Sequence, residues 1–275
     1  HTVTVESSEQ RTFKDEEYKC IPGVDIVALG SWINAPKDAI IVGLKDLPVS
    51  DSPIIHRHVY FAHAYKHQSG CEQLLQRFHK GGGCILDIEY MTDDKGCGAV
   101  TEFSTIAGAL GMALGVAAWC YQNLGCDMPV VKPFESETQM VEHTKALLKQ
   151  VADTKGVSEV YPSVLVIGAL GRCGRGSLDI ATKLGIPESN QIKWDLEETK
   201  KGGPFKQILN YDIFVNCIYL MKKIPPFVTR DMLNTNERNL SVIVDVSCDV
   251  NSPNNPLPIY DIPTTPQNPV RSIAL

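Results

Sequence analysis

One stretch limits the possible architectures more than any other. Val164-Leu-Val-Ile167 is an unbroken aliphatic run, and it leads directly into Gly168-Ala-Leu-Gly171-Arg-Cys-Gly174-Arg-Gly176. Uniformly apolar residues suit a strand buried on both faces, as in the middle of a parallel sheet. Leu178, Ala181 and Leu184 then fall at helical spacing. Glycines between such a strand and such a helix permit a tight turn and close approach of backbone to a ligand. Asp195 ends the next strand candidate, Gln191 to Trp194, about 20 residues further on. In this context a pyrophosphate rests on unpaired N–H groups at a helix N-terminus and a ribose on a carboxylate. The spacing is G-x-x-G-x-x-G rather than the commoner G-x-G-x-x-G, and an ordinary βα turn with a strand-end acid is the plain alternative. Gly168, Leu170, Gly171, Arg172, Cys173, Gly174 and Asp195 are the candidate cofactor-binding residues here. A carboxylate at Asp195 repels a 2′-phosphate, which favours NAD over NADP, although Arg172, Lys200 and Lys201 could offset part of that repulsion. Cys173 sits where a thiolate is stabilised, but a buried inert thiol fits equally.

The same alternation recurs along the whole chain. In the first half, Thr2 to Val5, Asp38 to Gly43, His58 to Ala62 and Cys84 to Ile88 read as strands. Between the last two, Glu72 to Lys80 has Leu74, Leu75 and Phe78 at helical spacing and is closed by Gly81-Gly82-Gly83. Strand, helix, strand in this order predicts parallel pairing and an α/β layer structure. A helix over 104–122, with Ser104 as N-cap and Gly125 beyond its end, is followed by one over 136–154 capped by Ser136. The apolar run Ile106 to Tyr121 falls short of the ~20 residues of a membrane span and is read as a buried helix. Gly108, Gly111 and Gly115 on it predict tight packing between two domains. The second half gives strands Ser163 to Ile167, Gln191 to Trp194, Tyr211 to Val215 and Val242 to Val246, with a helix near 174–184. A chain of 275 residues accommodates about two domains.

Composition narrows the partners. Lys plus Arg number 26 against 32 Asp plus Glu, a net charge of −6. A phosphate-tracking surface needs a basic excess or stripe, so nucleic acid is not expected. Nine cysteines at scattered spacings, without a C-x-x-C pair, indicate neither a disulfide framework nor a zinc ribbon. Cys84 and Cys217 lie in apolar runs and are read as small hydrophobes in a reducing compartment. His56, His58, His63 and His67 crowd together, but His63 and His67 lack the Glu of an H-E-x-x-H zinc pair, so no metal is assigned. His56 and His58 alternate and should share a face.

In open parallel sheets ligands bind beyond the carboxyl ends of strands. Lys45, His63 and Glu89 each follow a strand candidate of the first half. A lysine, a histidine and a carboxylate brought to one edge would form an acid–base cluster. Solvated strand-end charges are the competing reading.

These residues carry a resemblance. Gly43-Leu-Lys45, Phe61-Ala-His63-Ala-Tyr-Lys66 and Leu86-Asp-Ile-Glu89, with Ile167 to Gly174, Lys193-Trp-Asp195, Gly202-Gly-Pro-Phe205, Asn216-Cys-Ile-Tyr219 and Val244-Asp-Val-Ser247, resemble the fungal-type, NAD-dependent, lysine-forming saccharopine dehydrogenase family. The resemblance implies two Rossmann-like α/β domains with parallel sheets and an interdomain cleft, linked by a long helix and related in layout to alanine dehydrogenase. The expected division is 1–103 (substrate and catalytic domain, its opening strand absent), 104–258 (NAD domain) and 259–275 (a tail returning to the first domain). It implies oxidative cleavage of saccharopine to lysine and 2-oxoglutarate with NAD as cofactor, the last step of lysine biosynthesis by the α-aminoadipate route. Lys45 and His63 match the family's acid–base pair. Lys66, Glu89 and Asp46 match substrate-site positions, and Cys217, Tyr219 and Val246 join the cofactor residues. A cytoplasmic monomer acting on small molecules, without membrane or nucleic acid, is expected. An amino acid oxidoreductase like alanine dehydrogenase and a non-catalytic NAD(H)-binding protein remain the alternatives.

Overall fold

The computed structural model describes residues 2–9, 11, 13–44, 47–62, 64, 70–94, 105–220, 222–248, 250 and 252–274. They form two compact units, His1–Glu102 and Phe103–Leu275.

In the first unit, β1 (Val3–Glu6) pairs in parallel with β2 (Val24–Val27), with α1 (Asp15–Lys19) between them in sequence. A second parallel sheet has the order β3-β4-β5, from β3 (Ile40–Val42), β4 (Arg57–Tyr60) and β5 (Cys84–Asp87). The connection from β4 to β5 carries α2 (Cys71–Gly81), which buries Arg77 and Phe78. The glycine triplet after it has two uses. Gly82 takes φ +71 as the left-handed C-cap, while a Cβ at Gly83 would stand 2.5 Å from the Ile54 carbonyl oxygen. The core is small: Ile54, Tyr60, Ala62 and Phe78, with Leu47, Ala64, Leu74 and Ile85 against it. Cys84, read as a small hydrophobe, is exposed instead, because it lies on the sheet face that also exposes Ile40, Arg57 and Leu86.

The second unit is built around β6 (Val164–Ile167), which is buried along its whole length. The long helices α3 (Thr105–Leu124) and α4 (Glu137–Lys155) precede it, α4 capped by the Ser136 hydroxyl accepting from the Gln139 N–H at 3.1 Å. After β6 come α5 (Arg172–Lys183), β7 (Gln191–Trp194), α6 (Leu196–Thr199), β8 (Ile213–Asn216), α7 (Arg230–Leu233) and β9 (Val242–Asp245). All four strands are parallel, in the order β7-β6-β8-β9. Val164, Val166, Ile213 and Val215 face a core shared with α3, α4 and α5; Leu165, Ile167 and Phe214 face a second core with Phe227, Leu233, Leu257 and Ile259. The period-two alternation of β6 and β8 thus feeds both faces, as central parallel strands require.

The helix α3 is 20 residues long and apolar enough to cross a membrane by length and composition, so length does not argue against a span; it does bury Met112, Val116 and Cys120 completely in the core of its own unit. Its glycines serve packing within the second unit. A Cβ at Gly108 would overlap the Cys173 carbonyl of α5, and one at Gly111 would stand 2.9 Å from Val246 Cγ2, so the glycine face seats α3 on α5 and the β9 end within one unit. Ser104, the expected N-cap, lies outside the described residues. The segment 259–275 is grouped with the second unit, where Ile259 is buried in the core and Tyr260 and Ile273 pack against it.

Candidate functional site

The turn between β6 and α5 shows why glycine is needed at particular positions. Gly168 has φ +86, a left-handed conformation that admits glycine far more readily than other residues, and a Cβ there would meet Ile218 Cγ1 at 2.9 Å. Its N–H and that of Ala169 donate to the Trp194 carbonyl at 2.9 and 3.0 Å, fastening the turn to the end of β7. Gly171 caps α5 in an extended conformation with no side-chain cap. A Cβ at Gly174 would overlap the Gly168 carbonyl, so this glycine lets the helix lie against the strand end. The outer face of the turn stays open: Leu170 is 71% exposed, and Gly171 and Arg172 are exposed. The first turn of any helix leaves N–H groups without intrahelical partners and carries positive dipole charge, so this glycine-capped end suits a diphosphate.

Asp195 does more than its spacing suggests. One carboxylate oxygen caps α6 through the Leu196 N–H and the other accepts from the Leu170 N–H, each at 2.9 Å. Glu198 reaches back to the Asp195 N–H at 2.7 Å. Asp195 is half-buried, and because its side chain also accepts from the Glu198 N–H in this capping box, about one lone-pair site of the carboxylate is left for a ribose hydroxyl.

Cys173 is buried inside the turn, and its thiol is hydrogen-bonded to Cys217 at the end of β8. The pair divides its titration unequally: Cys217 is pushed far up by its hydrogen bond to Cys173 and by burial, and keeps its proton. Ser177 lies 3.5 Å from the Cys217 sulfur and donates to the Gly108 carbonyl at 2.9 Å. Tyr219 is exposed just past β8, and Val246 directly follows β9 with its N–H on the Asn216 carbonyl at 3.0 Å. Because all four strands are parallel, Gly168 to Gly174, Asp195, Cys217, Tyr219 and Val246 gather at one sheet edge.

In the first unit Lys45, Asp46, His63 and Lys66 lie outside the described residues. Glu89 is described: half-buried beyond β5, with its N–H on Asp87 Oδ1 at 3.1 Å. His56 and His58 share a face, as expected, with ring centroids 6.2 Å apart. His56 Nε2 lies 2.9 Å from the Ala35 carbonyl, which places a proton on that nitrogen. His58 is wedged edge-on against Trp32 at 5.0 Å and Phe78 at 5.3 Å, and neither of its nitrogens has a hydrogen-bond partner among the described residues. Burial, then the positive charges of His56 and Arg77, hold its pKa down at about 4. Among the described residues no three His, Cys, Asp or Glu converge as metal ligands; His63 and His67 lie outside them.

The sequence reading missed a second polar group at the sheet edge. Asn216, Asp245 and Tyr260 are joined by hydrogen bonds of 2.9 and 2.6 Å. The available signal was a polar residue ending each of two apolar strands, Ile213 to Asn216 and Val242 to Asp245.

No family model matches the chain. It is 47% identical over 270 residues to a saccharopine dehydrogenase [NAD(+), L-lysine-forming] of Yarrowia lipolytica, and equally to that of Schizosaccharomyces pombe, covering 97% of this chain and 72% of each relative. With the enzyme of the same name from Emericella nidulans it shares 48% identity over 280 residues, all of this chain and 73% of the relative. Among solved structures, an L-alanine dehydrogenase superposes with a TM-score of 0.56 at 16% identity, over 90% of this chain and 66% of that one, a likeness of fold alone.

Proposed function

This chain belongs to the NAD-dependent, lysine-forming saccharopine dehydrogenase family, and on that premise we propose that it cleaves saccharopine oxidatively to lysine and 2-oxoglutarate. The observation that carries the cofactor half of this reading is the turn at Gly168 to Gly174, whose close folding tolerates no side chain at Gly168 or Gly174, with its helix N-terminus open outward and Asp195 beside it. Gly171, Arg172, Cys173 and Gly174 would hold the pyrophosphate, Asp195 a ribose, and Cys217, Tyr219 and Val246 the remaining half. Bound NAD supplies the hydride acceptor.

The proton chemistry is assigned to the first unit, read as the substrate domain. Lys45 takes the proton of the secondary amine as the C–H bond breaks, leaving an imine on the substrate. His63 passes a proton from the water that adds to the imine carbon on to the imine nitrogen as the carbinolamine forms, then takes the carbinol O–H proton and delivers it to the departing nitrogen as the C=O bond forms and the C–N bond breaks. The balance is saccharopine, NAD⁺ and water to lysine, 2-oxoglutarate, NADH and one proton. Lys66 and Asp46 are proposed to line the site and set its charge, and Glu89, the described member of this group, stands half-buried past β5. The enzyme is read as a cytoplasmic monomer, which sedimentation checks.

Formation of NADH with saccharopine, with alanine and with no amino acid tests the proposal. Turnover with saccharopine alone supports it, and Lys45→Met or His63→Gln should lower kcat roughly 10²- to 10⁴-fold. Turnover with alanine, or NADH binding without any saccharopine-dependent reaction, would overturn it.

A further inference from the structure

The ends of β8 and β9 are tied together by hydrogen bonds for which the cofactor reading has no use. Asn216, fully buried, donates its amide to Asp245 Oδ1 at 2.9 Å and to the Ile218 carbonyl at 3.3 Å, and accepts from the Ile218 N–H at 3.3 Å. Asp245 Oδ2 accepts from the Tyr260 hydroxyl at 2.6 Å. The Ser247 hydroxyl closes the group by donating to the Ile218 carbonyl at 2.6 Å. One residue on, Cys248 takes φ +46, the single non-glycine left-handed backbone among the described residues, and its side chain is hydrogen-bonded to the same Tyr260 hydroxyl. Such a conformation persists where its surroundings over-determine it. Burial and the Asp245 carboxylate push the Tyr260 phenol well above its ordinary value, so it stays a donor.

Position gives this network its meaning. Asp195 marks the β7 end as the adenosine side, and the turn at Gly168 takes the pyrophosphate. The other half of a dinucleotide then runs over the ends of β8 and β9. The residues there, Cys217 to Tyr219 and Val246 to Cys248, directly follow Asn216 and Asp245.

We propose that Asp245 and Tyr260 are positioning residues for the nicotinamide half of the cofactor, fixing through Asn216 the backbone at 216–219 and 245–248 that receives it. A carboxylate with two neutral donors gives short, directional bonds, and Tyr260 brings the segment after β9 into the support of the site. The inference rests on the cofactor reading above.

The test uses the full chain with NADH and AMP as separate probes, followed by fluorescence and calorimetry, alongside thermal unfolding. Tyr260→Phe keeps the ring and should leave the unfolding temperature of the second unit and AMP affinity in place while weakening NADH about tenfold. Asp245→Asn leaves one acceptor oxygen for both the Asn216 amide and the Tyr260 hydroxyl and removes the carboxylate charge, and should weaken NADH likewise; Asn216→Asp in that background returns a carboxylate to the pair and should recover affinity. Faster amide exchange at 217–219 in Tyr260→Phe is the accompanying structural sign. An unchanged NADH affinity in Tyr260→Phe, or equal weakening of NADH and AMP, overturns the inference. A wild-type chain that binds neither probe overturns the cofactor reading, and the inference with it.

Discussion

Acid should weaken the first unit through one side chain. His58 is 1% exposed, packed edge-on against Trp32, Phe78 and Tyr60, with no hydrogen-bond partner for either nitrogen among the described residues. Its pKa falls from 6.5 to about 4 on folding, chiefly because burial penalises the imidazolium. Between those values the unfolded chain binds the proton and the folded chain does not, so stability falls as pH drops through 6.5 and the loss is complete below about 4. At 1.36 kcal/mol for each pH unit between the two values, the full loss is about 3 kcal/mol, of which about 2 kcal/mol is already gone at pH ~5. Urea unfolding at a series of pH values measures it. Trp32 is the one tryptophan of the first unit, and Trp119→Phe with Trp194→Phe leaves its fluorescence as the local reporter. In this background His58→Leu, similar in volume and without a titrating group, should flatten the dependence by that amount. Parallel pH profiles for the chains with and without the His58→Leu substitution, between pH ~6.5 and ~4, would refute the reasoning.

Gly174→Ala forces a methyl into the Gly168 carbonyl and should cost about 3 kcal/mol in urea unfolding and abolish measurable NADH binding. Gly108→Ala and Gly176→Ala each press a methyl into a backbone carbonyl, of Cys173 and of Thr105; each should lower the stability of the second unit by about 2 kcal/mol, and the pair should couple in a double-mutant cycle. Asp195→Ala removes a helix cap worth about 1 kcal/mol and leaves the Leu170 N–H without its acceptor, so both the melting temperature and NADH affinity should fall, the latter about tenfold.

The elements most easily read were those whose burial is one-dimensional in the sequence. Gln191 to Trp194 appears with the expected bounds, and β6 begins one residue inside its predicted range, because an aliphatic run between turn residues has few other fates. For β8 the apolar criterion stopped at Val215, but the strand continues to Asn216, whose amide is buried and satisfied by Asp245, a partner distant in sequence. The glycine face of α3 announced a close neighbour without saying which; α5 and the end of β9 fill the place expected of another domain. That the candidate cofactor residues would lie together was legible, since parallel strands carry all their ends to one edge. The Tyr260–Asp245 contact was not, for a tail without periodicity gives no sign of where it lands. Lys45, Asp46, His63 and Lys66, outside the described residues, rest on sequence likeness alone.

Asp195 holds the turn and the following helix with the same carboxylate that is proposed to receive a ribose. Redesigning coenzyme preference usually begins by neutralising this acid to admit a phosphorylated nucleotide. Here that exchange would release the Leu170 amide at the moment it opened the pocket, so selectivity and scaffold cannot be varied independently. A conversion would have to supply a replacement acceptor for that amide before any new cation was introduced.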